Sequence, residues 1–187
     1  MKKSFLLSCL AVALLTVNQG YAQKCETGKD PFTGEPAQIF KYKDNSLILE
    51  NKGGKVKLTV VNVYDGERNV MLPSGTDVQL KLDNDEVISL KTVNDAPPKS
   101  QLAGVIVYTN YAFTFDLDQQ TLKKLADHLI TLFRFPDANG GYMDREVKGG
   151  RVARYVKNIQ KGANCMLGRD GEPETQGKKK SDYNDEN

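Results

Sequence analysis

His128 is the single histidine of the chain, and it stands beside Asp127. Nucleophilic catalysis needs a base seated on a nucleophile, so His128 is the one imidazole that could serve. Its place near the end of a short helical pattern favours a plainer reading, a partly exposed residue stabilised by the helix dipole. Neither a G-x-S-x-G elbow nor an S-x-x-K motif occurs, which removes the common hydrolase signatures. Paired carboxylates offer a second chemistry, glycoside hydrolysis. The candidates are Asp83, Asp85 and Glu86 in one turn, Asp116 and Asp118 at a strand end, and Asp144 with Glu146 on a strand. Each is explained more simply as a solubilising or capping residue, so no side chain is assigned a catalytic role.

Phosphate and metal motifs fail on spacing. Gly53-Gly54-Lys55 is followed by Val56 where a phosphate loop needs a hydroxyl, and two glycines at a hairpin turn require no ligand to explain them. Asp83-Asn84-Asp85-Glu86 begins like a calcium loop. Val87 and Ile88 then stand where the fifth-position ligand and the sixth-position glycine belong. One histidine and two distant cysteines do not make a four-ligand zinc set. No metal and no cofactor is assigned.

One surface carries a bias. Arg151, Arg154, Lys157 and Lys161 share the solvent side of the last predicted helix, with Arg145 and Lys148 just before it. Such a stripe could hold a phosphate, a sulfated sugar or a phospholipid headgroup, and it is the candidate anion or partner surface. The plain alternative is a solvated face opposite an apolar one. The lack of tryptophan counts against a sugar-stacking site.

Where these residues work is read from the first 22 positions. Lys2 and Lys3 precede the apolar run Phe5 to Val17, and Asn18-Gln19-Gly20-Tyr21-Ala22 ends in small residues at the −3 and −1 positions. That pattern predicts a secretory signal peptide cleaved after Ala22, and hence a periplasmic or secreted protein. Leu6-Leu7-Ser8-Cys9 has the look of a lipobox, but only Phe5 to Leu7 would precede it as apolar core. No later stretch approaches the roughly 20 apolar residues of a membrane span.

Cleavage would remove two lysines and no acid, leaving 24 basic against 24 acidic side chains. A neutral, mixed-charge domain has no global electrostatic reason to bind nucleic acid or an anionic membrane. Cys25 and Cys165 are the cysteines that remain. In an oxidising compartment such a pair is expected to be bridged. Closing a loop of about 140 residues contributes about 4–5 kcal/mol in the chain-entropy model.

The elements that must position these groups are mostly strands. Gln23 to Pro36 is rich in Gly, Pro and charge and reads as a loop tethered by Cys25, with Phe32 as its plug into the core. From Gln38 to Leu117 the signal is β. Val56, Leu58 and Val60 alternate with polar residues, as do Val78, Leu80 and Leu82, and Val87 to Lys91 returns as a hairpin partner. Asn94 to Ser100, with Pro97-Pro98, is long enough for a crossover between sheets. Val105 to Leu117 places Tyr111, Phe113 and Phe115 on one face, which reads as core rather than as a ligand groove.

Asp118 is placed to cap a helix carrying Leu122, Leu125, Ala126 and Leu129 at helical spacing. Ile130 to Phe135 and Tyr142 to Val147 form a second predicted hairpin. A last helix is expected from about Arg151 to Lys161, with an apolar stripe of Val152, Tyr155, Val156 and Ile159. Gly162 is expected to loosen or end it, and Cys165 to lie in a non-helical segment beyond. The predicted organisation is a signal peptide at 1–22, one α+β domain at 23–167 and a disordered polar tail at 168–187. The domain is a mostly antiparallel meander with two helices toward the C-terminus.

Cys25-(x4)-Asp30-Pro31-Phe32-Thr33-Gly34 resembles the opening of a loose group of small exported proteins of Bacteroidota, in which a Cys and D-x-F-T-G follow a signal peptide. The resemblance implies a compartment and a layout of strands with a late helix. It implies no activity and transfers no catalytic residue. Three classes of function follow from the whole reading: a non-catalytic exported module that binds an envelope protein or an anionic ligand, a hydrolase using carboxylates, or a structural part of the envelope.

Overall fold

The computed structural model describes residues 25–43, 45–137 and 140–169. The predicted signal peptide, Cys9 and all but the first two residues of the predicted tail lie outside them. Alternating apolar residues build the expected α+β fold, its strands antiparallel in two sheets and its two helices toward the C-terminus. The first is six-stranded, in the order β1-β2-β3-β4-β8-β7. It comprises β1 (Glu26–Lys29), β2 (Pro36–Tyr42), β3 (Leu47–Lys52), β4 (Lys55–Asp65), β7 (Lys99–Ala103) and β8 (Ile106–Leu117). The second is four-stranded, in the order β10-β9-β5-β6. It comprises β5 (Asp77–Leu82), β6 (Val87–Lys91), β9 (Ile130–Pro136) and β10 (Tyr142–Glu146). The chain leaves the first sheet after β4 and returns at β7 through the expected Pro97-Pro98 crossover.

One face of the large sheet is the core. Val56, Leu58, Val60 and Tyr64 of β4 pack beside Tyr111, Phe113, Phe115 and Leu117 of β8, all buried. The second sheet covers the β4–β8 half of this face: the Phe113 and Phe135 rings stack at 5.5 Å, and Tyr64 donates to Pro136 O at 2.7 Å. Helix α2 (Gly150–Met166) covers the β2–β3 half, and α1 (Gln119–Asp127) packs against α2. Asp118 caps α1 as expected, accepting from Thr121 N at 2.6 Å.

Three expectations are corrected. The first concerns α2, which does not stop at Gly162. A Cβ there would lie 2.6 Å from Leu49 Cδ1 and 2.9 Å from Phe40 Cδ1, so the glycine lets the helix press onto β2 and β3. The helix ends instead at Gly168 (φ 70°), where Gly168 N donates to Cys165 O and Arg169 N to Asn164 O, the paired bonds of a Schellman motif. Cys165 is therefore helical, and it is buried.

The second correction is that the N-terminal segment contains a strand, β1, paired in register with β2 from Glu26↔Ile39 to Lys29↔Pro36. The Cys25–Cys165 disulfide, with Cα atoms 5.7 Å apart, fastens this edge strand to α2. The third is Phe32, which is 95% exposed rather than plugged into the core. Asp-Pro-Phe-Thr-Gly is a turn: Asp30 Oδ1 accepts from Phe32 N at 2.9 Å and from Thr33 N at 3.0 Å, which points Phe32 outward. Those two N–H groups hold the Asp30 carboxyl below its usual range. Arg169, within the predicted tail, donates through Nη1 to Asp127 Oδ1 at 2.8 Å; residues 170–187 of that tail lie outside the described residues.

Candidate functional site

The candidate carboxylates are all engaged. Asp83 meets His128 Nδ1 at 2.9 Å, Asp85 meets Lys81 Nζ at 2.8 Å, and Glu86 pairs with Lys124. Asp144 forms a bidentate pair with Arg134 at 2.6 and 2.7 Å, and Glu146 pairs with Lys148. The partner hydrogen bonds hold Asp85, Glu86 and Asp144 below the ordinary carboxylate range, and the Thr121 N–H does the same for Asp118. A glycosidase acid needs the opposite, a carboxyl kept protonated by burial or by a neighbouring negative charge. His128 sits at the C-terminal cap of α1, its two ring nitrogens engaged by Asp83 and Asn84. Among the described residues no group of three His, Cys, Asp or Glu could hold a metal, and no helix is long and apolar enough to cross a membrane.

A cavity of about 380 Å³ opens at the seam where α2 and the second sheet meet over the large sheet. Its floor is β4, through Val61, Asn62 and Val63. One wall is β9, whose Phe133 and Phe135 rings lie 5.5 Å apart and 8° from parallel. The facing wall is the start of α2, with Val152 and Tyr155; the Tyr155 ring lies 6.1 Å from that of Tyr42.

Three cations join these walls, and among the described residues no carboxylate lines them. Arg145 comes from β10. It faces Phe133 across the β10–β9 pair, on the inward side of an edge strand, and donates through Nη2 to Val63 O at 2.8 Å. Arg151 comes from the first turn of α2. Lys43 comes from the β2–β3 turn, where its φ of 40° is uncommon for a residue with a Cβ. Gly149 caps α2 without a side-chain hydrogen bond, and the first turn holds no acid. The positive end of the helix dipole therefore adds to the same field.

Two polar groups in the wall are withdrawn from solvent. Tyr155 donates to Ser46 O at 2.8 Å, and burial pushes its phenol well above the usual range. Asn62 is 2% exposed, and its Nδ2 has no hydrogen bond of normal geometry. That amide lies near enough to Tyr64 to favour the phenolate slightly, yet burial dominates and raises Tyr64 to about 12.

The predicted basic stripe is thus split. Arg151 lines the cavity, whereas Arg154, Lys157 and Lys161 lie on the exposed face of α2 outside it. The aromatic strand β8 is core, and the cavity takes its rings from β9 instead. Arg145 was visible only as a neighbour of the stripe. Its inward direction follows from sharing strand parity with Met143 opposite Phe133 and Phe135, a pattern hidden by the acids on either side of it. Compared with known proteins, the chain matches no family model, no curated protein and no solved structure.

Proposed function

We propose that this is an exported, non-catalytic binding module of a bacterial cell envelope, and that its binding site is the cavity between β4, β9 and the start of α2. The observation that carries the reading is a concave, largely apolar site ringed by convergent polar groups from separate elements, the usual form of a small-molecule pocket. Its volume of about 380 Å³ falls within the range such pockets occupy. The disulfide supports an oxidising compartment, in keeping with the leader read from residues 1–22. The engaged carboxylates favour binding over hydrolysis.

Native mass spectrometry of the protein isolated from its own envelope tests the reading, with V152W as the occluded variant. A bound small molecule in the wild type and none in V152W is the expected result. A ligand retained equally by V152W would place binding elsewhere.

A further inference from the structure

We infer that the cavity takes an amphipathic organic anion, its apolar body lying along Val61, Val63 and Val152 and its charged group held between Arg145 and Arg151. This rests on the cavity being the binding site and specifies what enters it. The charge pattern is the first argument. Lys43, Arg145 and Arg151 line one small space, and among the described residues no carboxylate joins them there. Lys43 and Arg151 are exposed and Arg145 half-buried, so an entering anion meets positive charge from three separate elements.

A plainer explanation exists for Arg145 alone, since an inward-pointing charge on an edge strand discourages pairing with another chain. It does not explain why Arg151 from a helix and Lys43 from a turn converge on the same space. Nor does it explain a helix start with neither a capping side chain nor an acid. All of these features favour an anion at one place. Guanidinium groups from two elements suit an anion with several oxygens, whether carboxylate, phosphate ester or sulfonate.

The apolar walls argue that the anion carries a body. A free inorganic ion would meet the arginines and leave the partly exposed lining side chains Val61, Val63 and Val152 facing water. A flat or branched apolar group would cover that surface and gain roughly 25 cal/mol per Å² buried.

Fluorescence titration with anilinonaphthalene sulfonate and with phenylnaphthylamine, the same skeleton lacking the sulfonate, tests the inference. The sulfonate is expected to bind at one site, about tenfold or more tighter than the uncharged probe. R145M and R151M should each weaken the sulfonate about tenfold while leaving the uncharged probe nearly unchanged, which also reports that the cavity is still folded. R154M, outside the cavity, should change neither. Equal affinity for both probes, unaltered in R145M and R151M, would overturn the anion while leaving the cavity a binding site. Loss of sulfonate binding in R154M as large as in R151M would assign the anion to the exposed helix face and overturn the inference. Inorganic phosphate competing as tightly as the sulfonate binds would remove the apolar body. Binding of neither probe would end the reading of the cavity as a site, and this inference with it.

Discussion

Gly162 and Leu49 touch so closely that a methyl group on Gly162 would lie 2.6 Å from Leu49 Cδ1. That contact sets how near α2 comes to the large sheet, and so the width of the seam in which the cavity opens. Alanine gains about 1 kcal/mol over glycine in a helix interior, but overpacking a well-filled core costs about 1–3 kcal/mol. G162A is therefore expected to lower the urea midpoint, and a compensating L49V should recover much of the loss. An unchanged midpoint in G162A would show that the helix can lift without cost.

The Cys25–Cys165 bridge joins an edge strand of four residues to the last turns of α2. C25S/C165S is expected to lose about 2–4 kcal/mol of stability. Hydrogen exchange should accelerate first in Glu26–Lys29, because β1 is paired on one side only. Uniform acceleration over both sheets would mean that the staple acts on the whole fold rather than on its edge.

Asp118 couples the first helix to pH. The Thr121 N–H holds its carboxyl below the ordinary 3.8. Its contribution is complete above that ordinary value and is lost as pH falls through the lowered one. D118A should cost about 1 kcal/mol at neutral pH. D118N should keep most of the cap while removing its share of the acid dependence, as read from denaturation midpoints between neutral and acid pH.

Alkaline pH acts through the tyrosines. Burial raises Tyr64 to about 12 from an ordinary 10.0 and lifts Tyr111 and Tyr155 as well. Their contribution is present below the ordinary value and lost as pH climbs toward the raised ones, because the unfolded chain gives up these protons earlier. Absorbance titration should show them ionising only as the protein unfolds. Y155F should flatten the alkaline loss of stability while costing about 1 kcal/mol at neutral pH for the bond to Ser46 O.

Local chemistry made much of this legible in advance. Strand alternation identified β4, β5 and β8, Asp118 marked the start of α1, and Cys25 with Cys165 gave the disulfide. What was hidden depends on partners distant in sequence. Gly162 reads locally as a stop signal, and only Phe40 and Leu49 show that it is a contact. The segment Lys99–Ala103 (KSQLA) has no strand alternation, and it becomes β7 by pairing with β8. Glu26–Lys29 is likewise a strand because β2 lies beside it. The cavity belongs to this second kind: Lys43, Arg145 and Arg151 are 102 and 6 positions apart in sequence and meet only through the fold.

The most direct measurement is a nitrogen–proton NMR titration of the protein with anilinonaphthalene sulfonate, following the Nε–H signals of the arginines and the side-chain amide of Asn62. Shifts should concentrate at Arg145, Arg151 and Asn62, saturate together, and leave Arg154 in place. Shifts centred on Arg154 and the exposed face of α2, with the Arg145 and Asn62 signals unmoved, would contradict the account.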